Sequence, residues 1–329
     1  MNSASASRTS IARDTSKQLV LFHRDFRVFT GGHLKVWDYF NHVASSRTHE
    51  PRIAFSPESK WDSTNPWFNS RGYFVEWEPE KADVLFLAGT DWRALPDSKR
   101  QRFDKPIINL IQHPRHADPE SEVRRFLKNR AVRICVSEEV ADAIKATGEV
   151  NGPVFAIPNG IDVSFAPKGM PWSKRTIDVL ICGLKAPELT RDVQAAFADQ
   201  NWIIQCLTEW IPREDYLARV NNAKIGLFLP RPVEGFYLPP LEGMAAGTIV
   251  VCPDCLGNRG FCDDKVNCFR PQYDADEIVS AVRSALQQSQ SERAQMLENA
   301  ASTVRKHSLQ KERASFRQIL RQIGELWKT

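Results

Sequence analysis

The stretch that decides the fold runs from Leu227 to Val251 and reads L-F-L-P-R-P-V-E-G-F-Y-L-P-P-L-E-G-M-A-A-G-T-I-V-V. Its opening apolar run is typical of a buried strand that ends before Pro230, and a polar loop with Glu234 follows. Two prolines then stand where a helix would begin, a position at which a missing N–H costs little. A helix over Leu241 to Ala246, a glycine stop and another apolar run come next. The stretch therefore predicts strand, loop, short helix and strand.

Two carboxylates flank the start of this predicted helix. Glu234 lies on the loop before it, and Glu242 lies on its first turn. Unpaired amide N–H groups and the positive end of the helix dipole favour an anion at such a position. We therefore expect a site for a phosphorylated ligand that is rich in hydroxyl groups.

Length and composition narrow the class of protein. A chain of 329 residues favours two domains of ordinary size over one. Hydrophobic residues make up 42% and charged residues 26%, which are values of a globular protein with a sizeable core. The formal net charge is a modest +4, and no dense run of Lys and Arg occurs. A nucleic-acid partner is therefore disfavoured.

The chain has seven cysteines and no apolar leader, which favours free thiols in a reducing compartment. Cys252 and Cys255 form a C-x2-C pair that two further cysteines follow. This pattern matches zinc ligands only in part, because the second pair lacks the C-x2-C spacing. Cys252 and Cys268 also lie in apolar runs, where free cysteine is a common buried residue. Buried thiols are favoured, and zinc stays open as the lesser alternative.

The N-terminal 17 residues are polar and rich in serine, and they predict a disordered tail rather than a secretory signal. No apolar run reaches the roughly 20 residues that span a bilayer. We expect a soluble, cytoplasmic protein.

Short apolar runs alternate with helical patterns in both halves of the chain, which predicts an α/β fold with parallel sheets. In the first half we predict strands at Gln18–Phe22, Arg52–Phe55, Ala82–Ala88, Pro106–Gln112, Val132–Val136 and Val154–Ile157, with helices at Leu34–Val43, Glu120–Asn129 and Glu138–Thr147. In the second half we predict strands at Ile177–Cys182, Trp202–Cys206, Ile225–Leu229 and Thr248–Cys252, with helices at Glu188–Ala198, Arg213–Asn221, Ala275–Gln287, Glu292–Lys306 and Leu309–Trp327. A Pro- and Lys-containing linker from Pro167 to Arg175 separates the halves.

Polar residues just past strand ends are candidate ligand contacts, because open α/β sheets bind ligands there. Gly31 and Gly32 form a loop between a strand and a helix, and His113 follows another strand. The aromatic loop from Trp61 to Asn69 suits a sugar face, but a loop that covers the core is the more common case.

With these motifs in place, the chain resembles retaining glycosyltransferases of the GT-B type, close to glycosyltransferase family 4 (group 1). Residues 234–247, E-G-F-Y-L-P-P-L-E-G-M-A-A-G, are similar to the family signature with its two glutamates separated by seven residues. The P-N-G-I-D at residues 158–162 resembles the start of the inter-domain linker of that family, and residues 251–267 resemble its V-V…G…N region. The match is closest in the second half, whereas the first half matches in layout.

The resemblance implies two Rossmann-like domains that face each other across a cleft, with a C-terminal helix that crosses back to the first domain. The implied division is a tail at residues 1–17, an acceptor domain at 18–160, a nucleotide-sugar domain at 161–306 and the crossing helix at 307–329.

The resemblance also implies roles for individual residues. Glu242 would hold the ribose hydroxyls, and Glu234 would face the donor sugar and stabilise positive charge at its anomeric carbon. His113 would meet the donor sugar. Further donor or nucleotide contacts are implied for Gly31, Gly32, Gly183, Gly235, Phe236, Tyr237 and Leu238.

One departure from the family concerns the cations that clamp the diphosphate. Leu184 stands where the family has an arginine, so we nominate Lys185 and Arg191 instead. Cations are required because GT-B enzymes use no metal, and we expect neither a metal nor another cofactor. Tyr237 replaces the usual glycine and narrows the predicted donor pocket.

We therefore expect an enzyme that transfers a hexosyl or deoxyhexosyl group from a nucleotide-sugar to a glycan, a lipid-linked glycan or another hydroxyl acceptor. Two alternatives stay open: a GT-B nucleotide-sugar epimerase, and a non-catalytic subunit with the same fold. Weak attachment to the inner face of a membrane through the basic helix at Glu122 to Arg130 is a further alternative, although this helix also fits a solvated face. The sequence does not identify the donor, the acceptor or the oligomeric state.

Overall fold

Short apolar runs form the strands of two parallel sheets in the computed structural model, which describes residues 12–163 and 170–328. The first sheet has the strand order β2-β1-β3-β4-β5-β6, and the second has the order β10-β9-β7-β8. Every pairing between these strands is parallel. The strands are β1 (Gln18–Arg24), β2 (His49–Phe55), β3 (Val84–Ala88), β4 (Ile107–Ile111), β5 (Val132–Cys135), β6 (Val154–Ala156), β7 (Ile177–Cys182), β8 (Ile204–Leu207), β9 (Ala223–Phe228) and β10 (Ile249–Val251).

Helices connect successive strands, as parallel pairing requires. They are α1 (Gly31–Ala44), α2 (Asp97–Arg100), α3 (Glu138–Lys145), α4 (Pro187–Ala196), α5 (Arg213–Asn222), α6 (Leu238–Ala245), α7 (Ala275–Gln287), α8 (Gln290–Lys306), α9 (Leu309–Arg321) and α10 (Ile323–Leu326). Short 3-10 helices lie at Arg71–Tyr73, Pro79–Lys81, Gly89–Ala94, Pro114–Ala117, Glu122–Lys128, Trp172–Lys174 and Leu256–Asn258. The predicted α/β class is confirmed.

The chain divides into two compact units. One comprises residues 1–157 and 313–329, and the other comprises residues 158–312. In the second unit, Val179 and Ile181 join the core on one face of the sheet, whereas Leu180 joins the core on the other face. This alternation follows from the two-residue period of a strand whose two faces are both covered.

The C-terminal residues belong to the core of the first unit. The ring of Phe316 on α9 is fully buried and lies edge-on to Tyr39 at 4.8 Å between ring centroids. Farther on, the guanidinium of Arg130 lies 4.7 Å from the centroid of the Trp327 ring. The predicted continuous helix from Leu309 to Trp327 is interrupted at Gln322, close to Gly324, a residue with poor helix propensity.

Two predicted irregular segments fall partly outside the described residues. Of the predicted tail, residues 1–11 lie outside, but the Asp14 amide donates a hydrogen bond to Glu50 Oε2 at 3.0 Å. Residues 12–17 are therefore anchored to β2, and the disorder predicted for them was wrong. Of the predicted linker from Pro167 to Arg175, residues up to 169 lie outside. Arg175 is buried and donates to the carbonyls of Ala223 and Ala246.

The helix predicted at Glu120–Asn129 is instead a 3-10 helix at Glu122–Lys128. Buried Arg133 explains the difference, since its Nη2 donates to the carbonyls of Phe126, Leu127 and Asn129 at 2.6–3.1 Å. These carbonyls are satisfied without further helical turns. Burial lowers the pKa of Arg133 to about 10, so the guanidinium stays charged at neutral pH.

Two basic residues of this 3-10 helix form ion pairs with acidic neighbours. Arg124 pairs with Glu149 at 3.3 Å, and Arg125 pairs with Glu122 at 2.8 Å. A solvated, charge-balanced face fits these pairs better than a membrane contact. Within the described ranges, no helix is long and apolar enough to cross a bilayer.

Gly160 of the P-N-G-I-D segment lies where the chain returns from α8 to α9. A Cβ atom on Gly160 would be 2.6 Å from the backbone carbon and oxygen of Ser308. The neighbouring Ile161 accepts from the Leu309 amide at 3.0 Å and donates to the His307 carbonyl at 2.9 Å. Only glycine fits this close approach of two backbones.

We predict that Gly160→Ala lowers the free energy of unfolding by about 1–4 kcal/mol, because two backbone segments must separate to admit the methyl group. Urea unfolding followed by circular dichroism measures the change. Gly324→Ala is the matched control, since a Cβ there meets nothing within 4 Å. Equal stability of the two variants would contradict the packing role of Gly160.

Candidate active site

The loop between β9 and α6 carries Glu234. Hydrogen bonds to the chain that follows β10 hold this loop in place. The Tyr237 amide donates to the Gly257 carbonyl at 2.9 Å, and the Leu256 amide donates to the Pro232 carbonyl at 3.2 Å. The Tyr273 hydroxyl donates to the Pro230 carbonyl at 2.7 Å. Three tethers along eight residues hold this loop in one conformation.

Gly257 also sets the position of Glu234 by direct packing. A Cβ atom on Gly257 would lie 2.8 Å from the Cβ of Glu234 and 3.0 Å from its carbonyl carbon. The backbone of one loop thus lies flat against the other, and a side chain at residue 257 would displace the carboxylate.

Glu234 pairs with Lys185, which lies on the loop after β7. Both carboxylate oxygens lie 2.9 Å from Lys185 Nζ. The glutamate side chain is 11% exposed, whereas the lysine side chain is 44% exposed. The ammonium also lies 5.0 Å from the centroid of the Tyr237 ring, within range of a cation–π interaction. Lys185, which was nominated from the sequence as a diphosphate contact, thus lies beside Glu234.

Glu242 pairs with a cation that the sequence analysis missed. Arg213, the first residue of α5, donates from Nη2 to Glu242 Oε1 at 2.7 Å. The Glu242 side chain is 4% exposed and that of Arg213 is 40% exposed. The hydroxyl of Tyr216, one turn along α5, is buried beside the same carboxylate. Burial and then the adjacent Glu242 carboxylate raise the pKa of Tyr216 well above its ordinary value, so this phenol is neutral.

The backbone amides at the start of α6 are less available to a ligand than we expected. We expected the N–H groups of Phe236, Tyr237 and Leu238 to face a ligand, but the Tyr237 amide is bonded to Gly257. Helix α6 begins at Leu238, and prolines follow at its second and third positions. Because proline has no N–H, this helix start offers an anion fewer donors than an ordinary one.

The loop after β7 requires glycine at residue 183, because a side chain there would collide with Thr190. A Cβ on Gly183 would lie 2.1 Å from Oγ1 of Thr190, which donates to the carbonyls of Gly183 and Ala186. Leu184 is 53% exposed beside it. Arg191 lies exposed on α4, and among the described residues it forms no ion pair with either glutamate. The geometry thus brings Lys185 to Glu234, whereas Arg191 lies on the exposed face of α4.

In the first unit, the predicted glycine pair and His113 are close to one another. Gly31 and Gly32 are the first residues of α1 rather than a loop, because Thr30 caps the helix and accepts from the His33 amide. Gln112 Nε2 donates to the Gly32 carbonyl at 3.2 Å. His113 follows directly, and its Nδ1 accepts from the Arg115 amide at 3.0 Å.

A buried charged cluster lies beneath this helix start. Arg24 Nη1 donates to Asp91 Oδ2 at 2.6 Å, and Arg24 Nη2 lies 2.8 Å from Nδ1 of His33. Since a guanidinium can only donate, Nδ1 of His33 accepts, and the neutral ring carries its proton on Nε2. Burial and then the charge of Arg24 lower the pKa of His33 to about 4.

The aromatic loop from Trp61 to Asn69 serves mainly as core. Trp67 is fully buried, and its ring packs edge-on against Trp37 at 5.3 Å. This agrees with the simpler of the two interpretations made from the sequence.

The cysteines in question are buried thiols. Cys252, Cys255, Cys262 and Cys268 are each at most 1% exposed. Asn258 Nδ2 donates to the sulfur of Cys252 at 3.1 Å, and burial raises the pKa of Cys255 to about 12. In the part of the chain that the structure describes, no three His, Cys, Asp or Glu side chains form a cluster that could hold a metal ion.

Sequence comparison matches the region that holds both glutamates to a known family. Residues 172–303 match the family described as Glycosyl transferases group 1. This region of the chain is similar to group 1 glycosyltransferases. The resemblance seen in the sequence and the prediction of a glycosyltransferase are therefore confirmed at the level of group 1. No curated protein matches the sequence.

Solved structures show the fold of nearly the whole chain. HepE of Anabaena, in complex with UDP and glucose, superposes with a TM-score of 0.70 at 13% identity, over 92% of this chain and 99% of HepE. A sucrose-phosphate synthase from Thermosynechococcus elongatus gives 0.69 at 13% identity, over 94% and 100% of the two chains. The apo lipopolysaccharide outer core galactosyltransferase WaaB gives 0.68 at 11% identity, over 92% and 99%. The predicted GT-B fold is confirmed.

Because Gly257 packs on Glu234, we predict that Gly257→Ala displaces the carboxylate and lowers glycosyl transfer. A displacement of about 1 Å costs up to about 100-fold in rate. Release of nucleoside diphosphate from a sugar donor measures this, with Gly324→Ala as the control. Full activity in Gly257→Ala would show that Glu234 does not depend on this contact.

The low pKa of His33 predicts a pH dependence of stability. The unfolded chain binds a proton at His33 near pH 6.5, whereas the folded chain binds it near pH 4. The stabilisation is therefore complete above pH 6.5 and is lost as the pH falls toward 4, by at most about 3 kcal/mol. His33→Asn keeps an acceptor for Arg24 without titrating, so we expect a smaller loss between pH 6.5 and 4 in urea unfolding. Parallel curves for the two proteins would contradict this assignment.

Proposed function

We propose that this protein is a retaining glycosyltransferase that moves a hexosyl or deoxyhexosyl group from a nucleotide-sugar to a hydroxyl of a glycan or lipid-linked acceptor. The observation that carries the proposal is the pair of buried carboxylates, Glu234 and Glu242, at the start of α6 within the group 1 domain. HepE in complexes with UDP and with UDP-glucose supports a nucleotide-sugar as the donor.

We assign the two carboxylates to different parts of the donor. Glu242 is nearly inaccessible and fixed on α6, which suits hydrogen bonds from the two ribose hydroxyls. Glu234 lies on the tethered loop before α6 and accepts hydrogen bonds from hydroxyls of the sugar. Its negative charge stabilises the positive charge that develops at the anomeric carbon as the bond to the diphosphate breaks.

Lys185 serves the leaving group. Its half-exposed ammonium lies beside Glu234 and reaches a diphosphate by a small change of rotamer. As the anomeric carbon separates from the diphosphate oxygen, the acceptor oxygen attacks the same face and its proton passes to the departing diphosphate. The products are the glycoside and the nucleoside diphosphate. In this scheme side-chain cations balance the leaving charge and no metal ion is used.

Three residues of the first unit are further candidate ligand contacts. Gly31, Gly32 and His113 lie together at the carboxyl ends of β1 and β4, the edge at which open α/β sheets bind ligands. We assign the glycine pair to close approach of the backbone to diphosphate or acceptor, and His113 to the donor sugar.

Substitution of Glu234 tests the proposal. We predict that Glu234→Ala lowers turnover by at least about 100-fold, because the charge at the anomeric carbon loses its partner, while the Kd for the nucleoside diphosphate changes less than about threefold. A screen of UDP-, GDP- and dTDP-sugars by thermal shift selects the donor, and diphosphate release with water as acceptor measures turnover. The exposed surface variant Glu298→Gln is the control.

Two outcomes would contradict the proposal. Turnover that survives Glu234→Ala would remove Glu234 from the reaction. Epimerised sugar, found by NMR after incubation of the donor alone, would assign the chain to the epimerase class.

A further inference from the structure

The two ion pairs at α6 share one asymmetry. In each pair the carboxylate is buried and the cation is about two-fifths exposed: Glu242 with Arg213, and Glu234 with Lys185. A buried carboxylate held by packing keeps its place, whereas a long cationic side chain at the surface changes rotamer readily. The cations are therefore the movable members of both pairs.

The proposed role of Glu242, on which this inference rests, competes with Arg213. Nη2 of Arg213 donates a hydrogen bond to Oε1 of Glu242 at 2.7 Å. Two ribose hydroxyls on the same carboxylate need both of its oxygens, so bound nucleotide displaces the guanidinium from at least one oxygen. A displaced guanidinium needs an anion, and the diphosphate attached to that ribose supplies one.

We propose that Arg213 is the second phosphate-binding cation of this enzyme. It leaves Glu242 when a nucleoside diphosphate binds and, with Lys185, clamps the diphosphate. Its planar fork suits two phosphate oxygens at once. In the unliganded protein the same guanidinium neutralises the buried Glu242, which avoids an uncompensated charge.

Other cations of the second unit fit this task less well. Leu184 removes the arginine expected after Gly183, and Arg191 lies exposed on α4 away from the two ion pairs. Arg175 is buried with hydrogen bonds to the backbone and to Thr248. Arg231 is exposed on the loop before Glu234 and is the strongest competitor.

If Arg213 moves from Glu242 to the diphosphate, its loss should affect the binding of a nucleoside and of a nucleoside diphosphate differently. Uridine must break the contact between Arg213 and Glu242 without offering an anion in return, whereas UDP offers its diphosphate. Loss of the Arg213 charge should therefore weaken UDP but leave uridine unchanged or tighter. An arginine that merely positions Glu242 would weaken both ligands alike.

The test is isothermal titration of the full chain with uridine, UMP and UDP, and with the guanosine and thymidine series. We expect Arg213→Gln to weaken binding of the preferred diphosphate by about 10- to 100-fold, the range of a hydrogen bond between charged groups, with the nucleoside unaffected. Arg219→Gln, an exposed arginine on the same helix, is the matched control. Arg191→Gln and Arg231→Gln test the competitors.

A second variant separates loss of the phosphate contact from loss of folding. Arg213→Lys keeps a positive charge beside Glu242 but removes the fork, so we expect an intermediate loss for the diphosphate. Equal losses for nucleoside and diphosphate, no loss for either, or a diphosphate-selective loss in Arg191→Gln or Arg231→Gln instead would overturn the assignment of Arg213. Failure of the wild-type chain to bind any nucleoside diphosphate would overturn the proposed function as well.

Discussion

The burial of two carboxylates at the start of one short helix is the constraint on which the site depends. The side chains of Glu234 and Glu242 are only 11% and 4% exposed, and a buried carboxylate is costly unless a cation or hydrogen-bond donors meet it. The fold supplies the cations from two neighbouring crossovers, Lys185 after β7 and Arg213 after β8. Because the strands are parallel, these crossovers begin at the same edge of the sheet as the Glu234 loop. The parallel topology thus places both cations beside the carboxylates that they neutralise.

Close contacts between backbones keep this arrangement rigid where precision matters. Gly257 brings the loop after β10 against Glu234, and the Tyr237 amide reaches across to the Gly257 carbonyl. The cations are less buried than the carboxylates, since the side chains of Lys185 and Arg213 are each about two-fifths exposed. Fixed anions with movable cations favour exchange of partners, because the carboxylates stay in place for hydroxyl groups while the cations can follow phosphate.

The sequence predicted the parts of the structure that depend on local pattern. Apolar runs such as Ile177–Cys182 and the amphipathic pattern of Ala275–Gln287 have the predicted bounds, because burial on two faces or on one face leaves a direct trace in residue order. Arg213 left no such trace. Its partner Glu242 is 29 residues away, and their contact depends on how α5 and α6 pack. Arg133 was missed for another reason: its side chain donates to carbonyls four to seven residues earlier, and a 3-10 helix stands there in place of the predicted α-helix.

The start of α6 explains why side chains rather than amides must carry the phosphate charge. An ordinary helix start presents several N–H donors to an anion, but here Pro239 and Pro240 have none and the Tyr237 amide is bonded to Gly257. The prolines instead fix the backbone for the turn that positions Glu242. This helix is therefore specialised for holding a carboxylate, and its weakened anion site raises the demand on Lys185 and Arg213. Leu184 is compatible with that demand because α5 supplies the guanidinium from the next crossover.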